Sequence, residues 1–207
     1  MKKIIISGII AILIAGFLIS AGCVSNGNGI TAGSDAEKWV NQESDKVQTL
    51  YLNSDKTGCK ITTEYGMETK NRPFTWEENG PYITLIFADY DVDTMTLRDG
   101  CLVHDGHIYT STNAKPHTTA EPVQDSAIVG TWVFTESDGD TKTLTFSTGG
   151  NGEQIKEDDK KIKTKDFTWK KTGSKYYTLF FEDSDDDTLV YENGVLYRDG
   201  EIYRRVS

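Results

Sequence analysis

Two stretches of this 207-residue chain are each written twice. TLFFEDSDDDT (178–188) lies over TLIFADYDVDT (84–94), and LYRDGEIY (196–203) over LVHDGHIY (102–109), both at an offset of 94. Phe167-Thr168-Trp169 repeats Phe74-Thr75-Trp76 at an offset of 93, and Trp132 falls on Trp39. All four tryptophans are therefore two positions, each used twice. Self-similarity of this length means two copies of one supersecondary unit, covering about 36–112 and 129–207. The stretch between them, NAKPHTTAEPVQDSAI (113–128), is polar, has two prolines and no apolar period, and reads as a linker.

The unit itself is written in strands. Trp132-Val133-Phe134, Leu144-Thr145-Phe146, Phe167-Thr168-Trp169, Tyr177 to Phe181 and Leu189-Val190-Tyr191 place apolar residues two apart, between Gly, Asp and Asn turns. Asn193-Gly194 and Asp199-Gly200, with Asp99-Gly100 and Asp105-Gly106 in the first copy, are two-residue hairpin signals, because both central residues must take φ > 0. Two-residue loops fix the register. Leu196 then faces Tyr191 and Tyr203, and Leu97, Leu102 and Tyr109 form the same row. Val190, Tyr197 and Ile202, or Thr96, Val103 and Ile108, take the opposite face. Both faces are partly apolar, so the ribbon is expected to be covered on each side or to present one face to a ligand.

The expected class is all-β: two tandem small antiparallel barrels or meanders of about 75 residues each, with seven or eight strands. Units this small bury a core with difficulty. Trp39, Trp76, Trp132, Trp169, Tyr109 and Tyr203 are expected to supply it, since each large ring buries roughly 150–250 Å². The other reading has those rings lining a glycan or lipid pocket. Gly130-Thr131-Trp132 resembles the Gly-x-Trp that opens lipocalins, and the resemblance implies a structural role for Trp132. A barrel this short is expected to be filled by its own side chains.

Ahead of the repeats stand Lys2 and Lys3, an apolar or small-residue run from Ile4 to Gly22, and Cys23, the layout of an export signal. The run is also long enough to be retained as a spanning helix. Ser20-Ala21-Gly22-Cys23 resembles the lipobox of secreted lipoproteins, which implies a signal peptide over 1–22 and a lipid on the Cys23 thiol. Residues 23–35 then form a flexible tether. Leader and tandem domains together resemble surface lipoproteins of methanogenic archaea, so the repeats are expected outside the cytoplasm on a membrane anchor.

With 22 basic and 32 acidic residues, the net charge of −10 repels phosphate backbones, and nucleic acid is excluded as a partner. In an oxidising exterior, Cys59 and Cys101 are an even pair that suggests one disulfide, with two buried thiols as the alternative. The absence of any C-x-x-C removes thioredoxin-like and zinc-knuckle roles.

The aspartate runs are the most suggestive chemistry. Asp89, Asp91 and Asp93, and Asp183, Asp185 and Asp187, alternate along an extended chain, so each trio projects to one side and repels itself unless water or a cation intervenes. Calcium suits such oxygens, but the glycine and glutamate of an EF-hand loop are replaced by Thr94 and Gly100, or Thr188 and Gly194. A solvated turn is the expectation, and a weak calcium site the alternative. His104 and His107 should face each other across the Asp105-Gly106 turn, where imidazoles can hold zinc or copper. The second copy has Arg198 and Glu201 there, which reads as an exposed cross-strand ion pair on a wet surface. His117 sits in the linker, and Gly149-Gly150-Asn151-Gly152 reads as a turn between strands.

No nucleophile with a base and no phosphate loop is visible in the sequence. The expected function is a non-catalytic, membrane-anchored extracytoplasmic lipoprotein that binds a protein, glycan or envelope component and needs no cofactor. The alternatives are a lipocalin-like carrier of a small apolar ligand and a weak calcium-binding surface protein.

Overall fold

A computed structural model describes residues 35–89, 91–120, 125–158, 161–182 and 185–206. The expected signal peptide, Cys23, the tether up to residue 34, and Asp183 lie outside the described residues. Among the described residues there is no helix, hence none long and apolar enough to cross a membrane.

Each repeat is a closed eight-stranded antiparallel barrel. The first comprises β1 (Glu37–Glu43), β2 (Lys46–Leu52), β3 (Thr57–Glu64), β4 (Met67–Asn79), β5 (Tyr82–Phe87), β6 (Val92–Arg98), β7 (Cys101–His104) and β8 (His107–Ser111). The second comprises β9 (Gly130–Thr135), β10 (Thr141–Phe146), β11 (Asn151–Asp158), β12 (Lys161–Lys171), β13 (Tyr176–Phe181), β14 (Asp187–Glu192), β15 (Val195–Arg198) and β16 (Glu201–Arg205). The strands meander in sequence order, and the last closes on the first, through Val40 opposite Thr110 and through Trp132 opposite Arg205. Closure leaves no unpaired sheet edge for another chain to extend.

The register is the one that the turn dipeptides dictate. Leu196 faces Tyr191 and Tyr203, Leu102 faces Leu97 and Tyr109, and all four Asn-Gly or Asp-Gly turns take positive φ at both residues. The leucine row points inward, with Leu102, Tyr109, Leu196 and Tyr203 buried. The two interiors match position by position. Trp39, Leu50, Leu52, Phe74, Trp76, Ile83, Leu85, Met95, Leu102 and Tyr109 fill the first. Trp132, Leu144, Phe146, Phe167, Trp169, Tyr177, Leu179, Leu189, Leu196 and Tyr203 fill the second. The repeated rings are core, and Trp132 has the structural role expected of it. Its indole N–H donates to the Ile128 carbonyl at 2.7 Å, and the Arg205 guanidinium lies 4.6 Å from its ring centroid.

One device recurs in both barrels. Gly58 on β3 stands opposite Phe74, Gly152 on β11 stands opposite Phe167, and each ring lies over its glycine. A Cβ on Gly58 would come within 2.3 Å of the ring, and one on Gly152 within 2.2 Å. Gly152 is thus a strand residue under a ring, not part of the turn expected there, which ends at Gly150.

The barrels dock through the outer faces of β5 and β6 on one side and β13 and β14 on the other. Thr84 and Thr178 are one position of the repeat, Thr94 and Thr188 another, and all four lie at the seam. Thr178 Oγ1 donates to Thr94 Oγ1 at 2.9 Å, Thr94 and Thr188 hydroxyls are 3.2 Å apart, and Thr84 donates to the Thr172 carbonyl at 2.9 Å. Thr84, Thr172 and Thr178 are fully buried. Beside them the Tyr82 and Phe180 rings pack at 5.9 Å, and Asn79 donates to the Lys171 carbonyl at 2.8 Å.

The described parts of the linker are docked on the barrels. Asn113 accepts from the Lys38 amide and donates to the Ala36 carbonyl. His117, its side chain 5 % exposed, is clasped between Glu37 at 2.8 Å and Glu78 at 3.1 Å, one carboxylate on each ring nitrogen, beside the Trp39 ring. Asp125 takes Lys171 and the Tyr177 hydroxyl, and Ile128 enters the second core.

Replacing Gly152 by alanine forces the Phe167 ring aside, and is expected to cost about 1–3 kcal/mol of stability, as overpacking does. Urea unfolding should show a lower midpoint with an unchanged slope. A variant as stable as the parent would show that the ring does not constrain the strand.

Candidate functional site

The predicted aspartates divide according to the cations that the barrel walls bring to them. Lys60 on β3 and Arg72 on β4 are direct cross-strand partners, on the face that also carries Leu50 and Phe74. Like charges placed opposite each other repel. The loop between β5 and β6 and the start of β6 answer them: Asp89 and Asp91 in the loop both reach Arg72, at 2.8 and 2.9 Å, and Asp93 on β6 reaches Lys60 at 3.1 Å. The Arg72 hydrogen bond holds the Asp89 carboxyl below its usual range. These carboxylates neutralise the chain's own cations, Arg72 and Lys60. In the second barrel Asp187 is bound by Arg198, which also donates to Gln154 at 2.6 Å, and Asp185 is exposed. Among the described residues no three His, Cys, Asp or Glu side chains are grouped to hold a metal ion.

The histidines part company. His104 and His107 are cross-strand partners as expected, but the His104 Nδ1 lies 3.1 Å from the Thr94 carbonyl and its Nε2 3.2 Å from Asp105, while His107 turns to Glu43. The expected ion pair of the second copy is not formed. Arg198 goes to Asp187, and Glu201 binds Lys142 and accepts from the Tyr203 hydroxyl. The position is also not a wet surface. His104 and Arg198 lie two residues along from the inward Leu102 and Leu196, and their side chains are only 14 % and 11 % exposed at the barrel mouth.

Cys59 and Cys101 are not bridged. Cys59 alternates with the inward Gly58, and Cys101 precedes the inward Leu102, so both point outward, from β3 and β7. Those strands are four staves apart in a ring of eight, on opposite walls. A disulfide needs Cα atoms within about 7 Å, so the expected bond has no place in this fold.

What docking creates is a cleft of about 750 Å³ between the barrels. The first barrel lines it with Asp93, His104 and Asp105, and the second with Tyr176, Asp186 and Tyr197. Val190 and Tyr197 from the outer row of the terminal hairpin face this cleft, whereas Ile108 of the matching row is 54 % exposed to solvent. Tyr176 is buried, and burial, with Glu77 and Glu192 adding to it, pushes its phenol up to about 12, so it keeps its proton. Asp186 is the residue that sequence reasoning missed, because only alternate aspartates were counted. Its counterpart in the first repeat is Val92, so position 186 is a charge gained on one side of the seam. Burial first, then repulsion from Asp105 of the other barrel, raises its carboxyl to about 6. A shallower groove lies elsewhere between the barrels, where Lys56 stacks on Trp76 at 3.5 Å and Glu77 accepts from the Ser174 amide and hydroxyl.

No protein-family model matches the chain, and comparison with curated proteins finds no similar sequence.

A carboxyl raised from 3.8 to about 6 in the folded state gives stability that is whole below its unfolded value and is lost as pH rises through about 6. Asp186→Asn escapes that loss. Its melting temperature should equal the parent's at pH 4 and exceed it at pH 7.5. Equal melting at both values would show that Asp186 is well solvated.

Proposed function

We propose that the chain is a membrane-anchored extracytoplasmic lipoprotein of the kind it resembles in methanogenic archaea, with a lipid on Cys23, and that its paired barrels recognise an envelope component without catalysis. The observation that carries this reading is the division between repeated and unrepeated residues. Turns, cores and seam repeat, and among the groups lining the cleft two positions have diverged, Val92 against Asp186 and His104 against Arg198, beside the shared Asp93 and Asp187 and the shared Asp105 and Asp199. Positions freed from folding duties, and gathered in one concavity where two units meet, suit ligand recognition. The aromatic filling of both interiors supports this reading over that of a lumenal carrier. The acidic surface disfavours anionic polymers and points to a protein or an uncharged glycan as partner. Lys2, Lys3 and the run closing in Ser20-Ala21-Gly22-Cys23 support the anchor.

A photo-reactive phenylalanine analogue at Tyr197, in the cleft, and another at Tyr65, 77 % exposed on the β3–β4 hairpin, test the reading in the native envelope. Cross-links to one envelope component from position 197 and not from 65 are expected, on a protein whose mass shows diacylated or prenylated Cys23. Cross-links from 65 alone, none from either, or an unmodified Cys23 in an uncleaved chain would contradict it.

A further inference from the structure

The linker carries one buried titratable group that neither the cores nor the cleft use. The His117 side chain is 5 % exposed, with Glu37 of β1, itself 4 % exposed, 2.8 Å from Nε2 and Glu78 of β4 3.1 Å from Nδ1. An ionised carboxylate only accepts, so both ring nitrogens must donate and the ring carries both protons. A neutral imidazole has a single N–H, and would turn the lone pair of its bare nitrogen on one of the two carboxylates. The other groups around the ring do not replace that proton. Among the described residues Glu37 has one further donor, the Trp39 indole N–H at 3.3 Å. Lys56, on the turn between β2 and β3, stands 4.0 Å from Glu78, and Lys115 of the linker itself is exposed. Glu78 also accepts from the Thr118 amide at 3.3 Å, so the carboxylate that holds the ring also holds the chain after it.

The second barrel grips the linker at the matching place with the charges exchanged. FTWEE (74–78) lies over FTWKK (167–171), which makes Glu78 and Lys171 one position of the repeat. Lys171 binds Asp125 of the linker at 2.6 Å, and that bond holds the Asp125 carboxyl below its usual range. Lysine and aspartate both stay charged through the neutral range, so this second clasp is indifferent to pH there. Histidine is the side chain that changes charge in that range, and it stands in the first clasp alone.

We propose that the linker is a proton-operated strap. With His117 doubly protonated the strap is fastened across β1 and β4, and loss of one ring proton frees 113–118 from the first barrel while Asp125 and Ile128 stay on the second. The fastened state binds one proton more than the free one, so fastening is complete on the acid side and is lost as pH rises. Release takes the imidazole away from the Trp39 ring and returns Glu37 to water.

Nuclear magnetic resonance of the full chain in detergent tests this, at about pH 5.5 and about pH 9, on either side of the ordinary histidine range. On the acid side the nitrogen-15 shifts of the His117 ring should show both nitrogens protonated, and the Ala114 and Thr118 methyl groups should be ordered. On the alkaline side the ring should be neutral and both methyls mobile, while the Ile128 methyls keep their order. Glu78→Gln separates the clasp from any general loosening in alkali. Its amide can donate to the bare nitrogen of a neutral ring, so the strap should stay fastened at both pH values. His117→Gln should give the same linker mobility at both. A neutral His117 in the fastened strap, a parent strap equally ordered at both pH values, alkaline release of Glu78→Gln, or a pH step that survives in His117→Gln would each overturn the proposal.

Discussion

Three buried threonine hydroxyls and a half-buried fourth decide how this molecule is put together. A hydroxyl taken out of water without a partner costs about 1–3 kcal/mol, so Thr84, Thr94, Thr178 and Thr188 disfavour any docking that does not bring them together in register. The observed arrangement does so, with β5 and β6 laid on β13 and β14 and each copy offering the same two positions to the other. Such a contact has the self-complementary form of a symmetric dimer interface, here within one chain. The cleft follows from it, since its walls belong to different barrels and face each other only while the seam is closed.

The duplication has left a clear separation of roles. Many residues kept in both copies turn the chain, fill a barrel or close the seam, and Gly58 with Phe74 and Gly152 with Phe167 show how close that fit is. Residues that differ include some at the mouths and the cleft, such as Val92 against Asp186 and His104 against Arg198. The first barrel sets Lys60 against Arg72 and quenches them with three aspartates, while the second has Gln154 and Lys165 at those places and sends Arg198 to Asp187. Electrostatic bonds at such half-exposed mouths add little to stability on their own. Their effect is to hold loops in place around the cavity.

Period-two patterning and the dipeptide turns made the strands, the register and the aromatic cores legible, because each depends on neighbours within a hairpin. The strings TLIFADYDVDT and TLFFEDSDDDT contained the seam in their first and last letters, but a threonine in a strand looks the same whether it meets water or another domain. Asp89, Asp91 and Asp93 looked like a cation site because their counter-charges, Lys60 and Arg72, lie on strands well upstream. The place of His104 and Arg198 at the mouth was legible in principle, by counting two residues along from Leu102 and Leu196. His117 gave no signal. A histidine in a polar linker becomes structural only when β1 and β4 bring Glu37 and Glu78 to either side of it.

Whether the barrels move as one body is therefore the central question, and nitrogen-15 relaxation of the full chain answers it most directly. Amides of β5 and β13 should report one common overall tumbling time, and Thr94→Val with Thr178→Val should split it into two. Separate, faster tumbling of the two barrels in the parent chain would contradict the account, for the seam would then be open in solution and the cleft would have no fixed walls.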